Sequence, residues 1–500
     1  MRIFGDLDFQ QIAMHPIGVA ALLGLYFLVL IFISRWTASK SGNADFYIGG
    51  RNSPWYLVAY GMIGASLSGV TFLSVPGWVG SSSFSYMQMV FGYFLGYLFI
   101  AQVLLPVYYR MELTSIYGYL EHRFGASARL TGSVFFLISR VIGASFRLYL
   151  VAMVLQIALF DALGVEFWQT VGVTILLIWV YTFQGGIKTI VWTDSLQTTF
   201  MLLAAVLSLI WLGRQLIPEE ASVLAYVREH PMSQMWFFEA ASDKRFFFRQ
   251  FLSGALITIV MTGLDQDMMQ KNLSCRSLPE AQKNMFWFSL VLMVVNLLFL
   301  ILGLFLHDYA QLMGIEAKGD ELFPVLILEH SGSTLLIAVF LVGLIAAAYS
   351  SADSALTALT TSFCVDLLGR NKSVAPRTRM AVHVGFSLLL MAVVILFRYA
   401  FQDPHVINGL FRAAGFTYGP LLGLFAFGLL FKASPVSAYA IPLISLIAPI
   451  STWLIDAALK NHWGLELGYE VLALNGLLTM LSLLLLVGVQ KKKAPEAPTP

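Results

Sequence analysis

Thirteen apolar stretches, each long enough to cross a lipid bilayer, decide what this chain can fold into. They run approximately over 16–33, 55–79, 84–108, 126–160, 165–183, 188–212, 246–271, 281–306, 334–367, 376–398, 405–430, 435–458 and 468–489. A spanning helix needs about 20 predominantly apolar residues and satisfies its own backbone groups in lipid, so the pattern predicts an all-α integral membrane protein of thirteen transmembrane helices. Composition agrees: 58% of the 500 residues are apolar or aromatic and 12% are charged, against roughly 25% charged in a soluble domain. A soluble fold is excluded. The formal net charge of +2 is too small to point to nucleic acid. Cys275 and Cys364 form no metal-spaced motif, and both fall in a span or on the side expected to be cytoplasmic, so no disulfide is expected.

The positions of the charges set the orientation. The first stretch lies within a leading span at 12–34, is followed by Arg35 and Lys40, and has no small-residue cleavage site after it, which reads as a retained helix with its N-terminus outside. Alternating sides from there puts 18 of the 30 Lys and Arg residues in the cytoplasm, Lys271 and Lys491 to Lys493 among them. That bias places the C-terminus inside. The whole chain, 1–500, reads as a single membrane domain with two trailing helices over 435–489 and a disordered cytoplasmic tail over 490–500. The largest loop, Gly213 to Arg249, suits a short amphipathic helix over the outer mouth.

Within the spans, polar residues are the candidate machinery. The stretch 55–79 carries Gly61, Gly64, Ser66, Ser68, Gly69 and Thr71 before Pro76 and Gly77. Such a density fits either an interrupted helix with exposed carbonyls or close helix packing. The stretch 334–367 contains AAAYSSADSA, in which Ala347, Ser350, Ser351 and Ser354 share one helical face and Asp353 borders it. A carboxylate in mid-span costs about 2.5 to 3.5 kcal/mol on insertion scales and is functional by default. An oxygen-only set with one negative charge suits a hard monovalent cation; a serine-rich packing face is the alternative. Asp194 is a second acid in an apolar run, close enough to a helix start to be complementing its dipole. Asp265 and Asp267 sit where a span is expected to leave the membrane, and solvation of one or both is an open alternative.

Five segments, RNSPWYLVAYGMIGASLSGVTFLSVPGWV, YTFQGGIKTIVWTDSLQ, LDQDMMQKNLSCRSLPEAQKN, AAAYSSADSA and GFTYGPLLG, occur in this order. Together they make the chain resemble the sodium:solute symporters along its whole length. The resemblance implies a LeuT-type core of two inverted five-helix repeats, here 55–212 and 246–430, each beginning with a broken helix, the second near Gly263, and a solute near the membrane midplane. It implies a sodium site formed by the carbonyls of Gly64 and Leu67 with Ala347, Ser350 and Ser351. For members with a second sodium site the matching residues are Asp194, Ser350, Asp353 and Ser354, Asp353 replacing the usual hydroxyl. The matching solute-site residues are Ser68, Thr71, Gln88, Asp265, Gln266, Asn296 and Tyr418, with Phe416 or Phe72 as lids.

Arg147 is added because members often have an aliphatic residue there. A guanidinium keeps its proton, so inside a span it needs an anion, either a protein carboxylate such as Asp265 or the solute. Arg140 and Arg412 compete for that role. The expected activity is therefore sodium-coupled import of a small polar solute by alternating access, an organic anion or acidic sugar first, with a neutral sugar or amino acid as the alternative. No enzyme is expected, and no cofactor beyond Na⁺ as coupling ion. The expected partners are the solute, sodium and the bilayer, with neither nucleic acid nor an obligate protein, and the expected location is a bacterial inner membrane. A proton-coupled carrier and a sodium or solute sensor are the rival readings.

Overall fold

The computed structural model describes residues 16–37, 47, 49–182, 186–218, 221–240, 242–369, 374–400, 406–431, 439–465 and 467–493. Among these there are helices and turns and no strand. The expected tail beyond 493 and the start of the leading span before 16 lie outside the described residues. The principal helices are α1 (Pro16–Thr37), α2 (Trp55–Ser82), α3 (Tyr86–Phe99), α4 (Ala126–Leu155), α5 (Phe167–Thr182), α6 (Gly186–Leu216) and α7 (Phe247–Thr258). After these come α8 (Gln266–Leu273), α9 (Leu278–Met313), α10 (Thr334–Ser362), α11 (Pro376–Ala400), α12 (Val406–Leu430), α13 (Ala440–Trp463) and α14 (Glu470–Lys493).

Ten helical stretches among the described residues are long and apolar enough to cross a membrane, or eleven with the bent pair α7–α8. That is fewer than the thirteen expected, for two structural reasons. Residues Trp55–Arg110 follow one another as a single helical run through α2 and α3 with a tight turn at Ser83–Ser85, and the apolar part of α5, Phe167–Val180, is short. The protein is a multi-pass membrane protein.

Two of these helices are interrupted, the first where small residues cluster and the second just after Gly263. In α2, Ser68 takes φ 47° and ψ 171° in the middle of the helix. A non-glycine residue in the left-handed region is uncommon and ends the regular ladder locally, so the turn before it presents carbonyls. Between α7 and α8 the chain widens into a π-turn at Ile259–Gly263, and Leu264 and Asp265 leave the helix. The two segments meet at 66°. Asp265 caps α8, its carboxylate accepting from the amides of Asp267 at 2.9 Å and Met268 at 3.4 Å.

Helices α2, α6 and α10 pack against one another, and α9 lies along α2. Lipid tails are as apolar as leucine, so this association depends on close packing and interhelical hydrogen bonds. Gly64 shows how close: its amide donates to Thr198 Oγ1 of α6 at 3.0 Å, and a Cβ there would lie 2.4 Å from that oxygen. On the far side α3 meets α7 at two glycines, where a Cβ on Gly92 would lie 2.0 Å from the Phe251 carbonyl and one on Gly254 2.2 Å from the Met89 carbonyl.

Outside the bundle, the long loop holds the short helix Val223–Glu229, none of it buried. It continues into a strap over the N-terminal half of α3, where Trp236 stacks on Phe91 at 5.4 Å. Both cysteines are free and buried.

Candidate functional site

A cavity of about 80 Å³ opens between the two interruptions. Ala65, Ser66, Ser68 and Thr71 line it from the break in α2, and Thr258, Met261 and Thr262 from the break between α7 and α8. Tyr86, Tyr93 and Tyr97 line the α3 wall, with Tyr86 and Tyr93 hydroxyls 3.0 Å apart. Arg140 and Arg147 of α4 complete it. The lining thus carries hydroxyls and two guanidiniums and no carboxylate. The volume holds several waters or one small solute.

The two arginines differ in their surroundings. Arg140 is held by an ion pair to Asp267 and lies 3.7 Å from Asp265, all three buried. Asp265 also accepts from the Tyr418 hydroxyl. Arg147 is 7% exposed, makes no ion pair among the described residues, and its Nε has no hydrogen-bond partner. Of the two anions offered to Arg147 by the sequence, Asp265 is therefore engaged with Arg140 and Tyr418. Arg412 is removed from the site: its side chain is 56% exposed and lies 3.5 Å from Asp456.

The residues matched to a sodium site lie along the contact of α10 with the α2 break. Ser351 Oγ of α10 donates to the Ala65 carbonyl at 3.2 Å, bringing that serine against the interrupted turn that contains Gly64 and Leu67. Ala347 and Ser350 are buried on the same face. Ser350 Oγ donates to Asp194 Oδ1 at 2.9 Å, and Asp353 and Ser354 are buried one turn further along α10. The other Asp194 oxygen carries something the sequence reading did not anticipate: Lys271 Nζ, 2.6 Å away, with both side chains 1% exposed. Lys271 is not a cytoplasmic loop residue. The alternative that one or both of Asp265 and Asp267 are solvated is not met: both are buried, Asp265 as the N-cap of α8 and Asp267 in its first turn.

Other expected solute ligands serve the scaffold. Gln88 donates to the Arg245 carbonyl at 2.8 Å and accepts from the Phe237 amide at 3.1 Å, clasping the outer strap. Gln266 bonds the backbone of Thr114 and Ile116, each at 2.9 Å. Asn296 donates to Leu292 O within its own helix at 2.8 Å. The Phe416 carbonyl accepts from Asn475. Phe72 is buried in an aromatic cluster, stacked on Phe323 at 5.2 Å, which is a core position and not a lid. Ser68, Thr71 and Arg147 line the cavity, and Tyr418 borders a smaller recess beside it. The tyrosines were missed although Tyr86, Tyr93 and Tyr97 recur at i, i+7 and i+11, one helical face.

The model of the Sodium:solute symporter family matches residues 46–433. The chain belongs to the sodium:solute symporter family. Members are transporters, and sodium-coupled symport, the activity expected from the sequence, is the activity of the family. The human sodium/iodide cotransporter is 26% identical over 434 residues, 83% of this chain and 66% of its own length. Sodium-coupled monocarboxylate transporter 2 of Bos taurus is 25% identical over 463 residues, 89% of this chain and 74% of its own. Among solved structures, a Na⁺-coupled sialic acid symporter in a substrate-bound outward-open state superposes with a TM-score of 0.78 at 18% identity, covering 95% of this chain and 98% of that one. The shared fold supports the LeuT-like architecture.

Proposed function

We propose that this symporter imports a small anion with sodium. Arg147 carries the proposal: it is a buried, permanently charged group on the wall of a cavity that contains no carboxylate, without a protein counter-charge of its own. An anionic solute supplies that charge, with the Ser68 and Thr71 hydroxyls beside it. The similar proteins named for iodide and for monocarboxylates support the same class. The cavity, about 80 Å³, favours a short carboxylate over an acidic sugar.

Sodium binds at the α2–α10 contact, to the carbonyls of Gly64, Leu67 and Ala347 and the hydroxyls of Ser350 and Ser351. Support comes from Ser351, whose hydroxyl already rests on a carbonyl of the interrupted turn. Bound there, sodium ties two packed bodies together while the solute cavity faces outward. Its release to the cytoplasm unlocks the inner route. The membrane potential adds about 2.3 kcal/mol per net charge per 100 mV. The coupling is reciprocal: solute tightens sodium by the factor by which sodium tightens solute.

The topology that accompanies this reading has thirteen crossings, inverted repeats at 55–212 and 246–430, an outside N-terminus, a cytoplasmic C-terminus and a bacterial inner membrane as its setting. A thermal-shift screen on purified protein, with and without sodium, tests the substrate class. Short monocarboxylates and halides are expected to stabilise only when sodium is present. Stabilisation by neutral sugars or amino acids, with anions silent, refutes it.

A further inference from the structure

Asp194 is the carboxylate that the family resemblance matches to a second sodium ion, yet in the fold a covalently attached cation already rests on it. Lys271 Nζ is 2.6 Å from Asp194 Oδ2, and Ser350 Oγ donates to Oδ1 at 2.9 Å. An ammonium is a compact point charge with three donors, and like sodium it is satisfied by a ring of oxygens. The Asp194 carboxylate's one negative charge is matched by Lys271 and both pair members are buried, so a sodium ion added beside Nζ meets a like charge at short range with little solvent to screen it. Asp353, the other acid of the expected site, is buried on α10 and accepts from the Ser354 amide.

We propose that Lys271 is a tethered substitute for the second sodium ion, so that this chain binds a single sodium, at the α2–α10 contact. The inference rests on the reading of that contact as the sodium site. The position of Lys271 gives it a consequence for the cycle. It lies on α8, the half-helix that follows the break, four residues from Asp267, which pairs with Arg140 of α4. Thus α8 is joined to α4 through its acid and to α6 through its base, two buried pairs of opposite polarity. The second of these joins α8 to the scaffold without needing sodium. Only one ion-dependent fastening is left, and sodium occupancy alone sets it.

A purely structural ion pair makes a different prediction from a cation substitute, and counting bound sodium separates them. Saturation binding of radioactive sodium to the purified full-length protein in detergent, read by scintillation proximity, needs no knowledge of the solute. The wild type is expected to bind one sodium per chain with a Hill slope near one. Lys271→Met exposes the Asp194 carboxylate to the solvent cation. It is expected to bind a second sodium, with a slope well above one and a sodium-induced rise in melting temperature larger than that of the wild type. Lys271→Arg keeps a cation in place and keeps one sodium. The double variant Asp194→Asn/Lys271→Met returns to one.

A wild type that binds two sodium ions overturns the proposal, even if Lys271→Met fails to fold. So does a folded Lys271→Met that still binds one. A wild type that binds none overturns the sodium-site reading beneath it, which the Ser351→Ala variant identifies separately: loss of the one sodium site there, with Lys271 intact, supports the assignment of the single ion to α2–α10.

Discussion

Replacing Arg147 and replacing Arg140 should have opposite consequences, although both guanidiniums line one cavity. Arg147 has no ion pair among the described residues, so Arg147→Met removes a charge from the cavity wall without orphaning a described carboxylate. Its cost falls on the solute. A hydrogen bond to a charged group contributes about 1.5 to 3 kcal/mol, which at about 1.4 kcal/mol per decade weakens anion binding roughly 10- to 150-fold. The folded protein should melt no lower than the wild type. Arg140→Met instead leaves Asp267 and Asp265 buried beside each other without their cation. Breaking a buried pair by removing one partner costs about 3 to 5 kcal/mol, so this variant should lose thermal stability or fail to accumulate. The assay is a melting curve for each purified variant, followed by anion titration in saturating sodium. An Arg147→Met protein that binds the anion as tightly as the wild type refutes the solute-pairing argument. An Arg140→Met protein of unchanged stability refutes the account of the buried pair.

Further outcomes follow from single contacts. Ser351→Ala should raise the sodium concentration needed for half-maximal anion binding while leaving anion affinity at saturating sodium nearly unchanged, read from titrations at several sodium levels. Gly92→Ala places a methyl 2.0 Å from the Phe251 carbonyl, an overpacking of the α3–α7 contact that should cost at least the usual 1 to 3 kcal/mol, approximately, and lower the melting temperature. In the outer strap, the Arg245 side chain beside Asp243 holds its carboxyl below the ordinary carboxylate range. A depressed folded-state value adds stability above the unfolded value of about 3.9 and loses it only as pH falls through the lower folded value. Wild type should therefore melt above Asp243→Asn by a small offset that stays constant from pH 6 to 8, and the two pH–melting curves should converge in acid as the carboxylate is protonated.

What could be read from the sequence, and what could not, divides along a physical line. The interruption at Ser68 left a mark in the sequence, because small and hydroxylic residues are rare in a spanning helix unless the backbone or a close neighbour needs them; the one near Gly263 came only with the family resemblance. Arg147 was legible because a cation in an apolar run has few structural excuses. Lys271 was not, because it stands at the end of an apolar stretch, where alternation assigns a charge to the cytoplasm. Its partner Asp194 lies 77 residues away on another helix. Gln88 and Asn296 show a related ambiguity: a buried amide looks the same in sequence whether it faces a solute, a loop carbonyl or its own helix, and in the fold the Gln88 amide bonds the loop and Asn296 Nδ2 bonds its own helix. The thirteen apolar stretches were read correctly as helical, but whether each is a separate crossing depends on turns such as Ser83–Ser85, which composition does not mark.

Sodium-driven anion accumulation is tested most directly with the purified protein in sealed liposomes, by following a labelled short monocarboxylate under an inward sodium gradient at fixed pH. Uptake should rise transiently above equilibrium, collapse when choline replaces sodium, and fall steeply in Arg147→Met. Accumulation of a labelled neutral sugar under the same gradient, with monocarboxylates and halides neither taken up nor competing, would contradict the account.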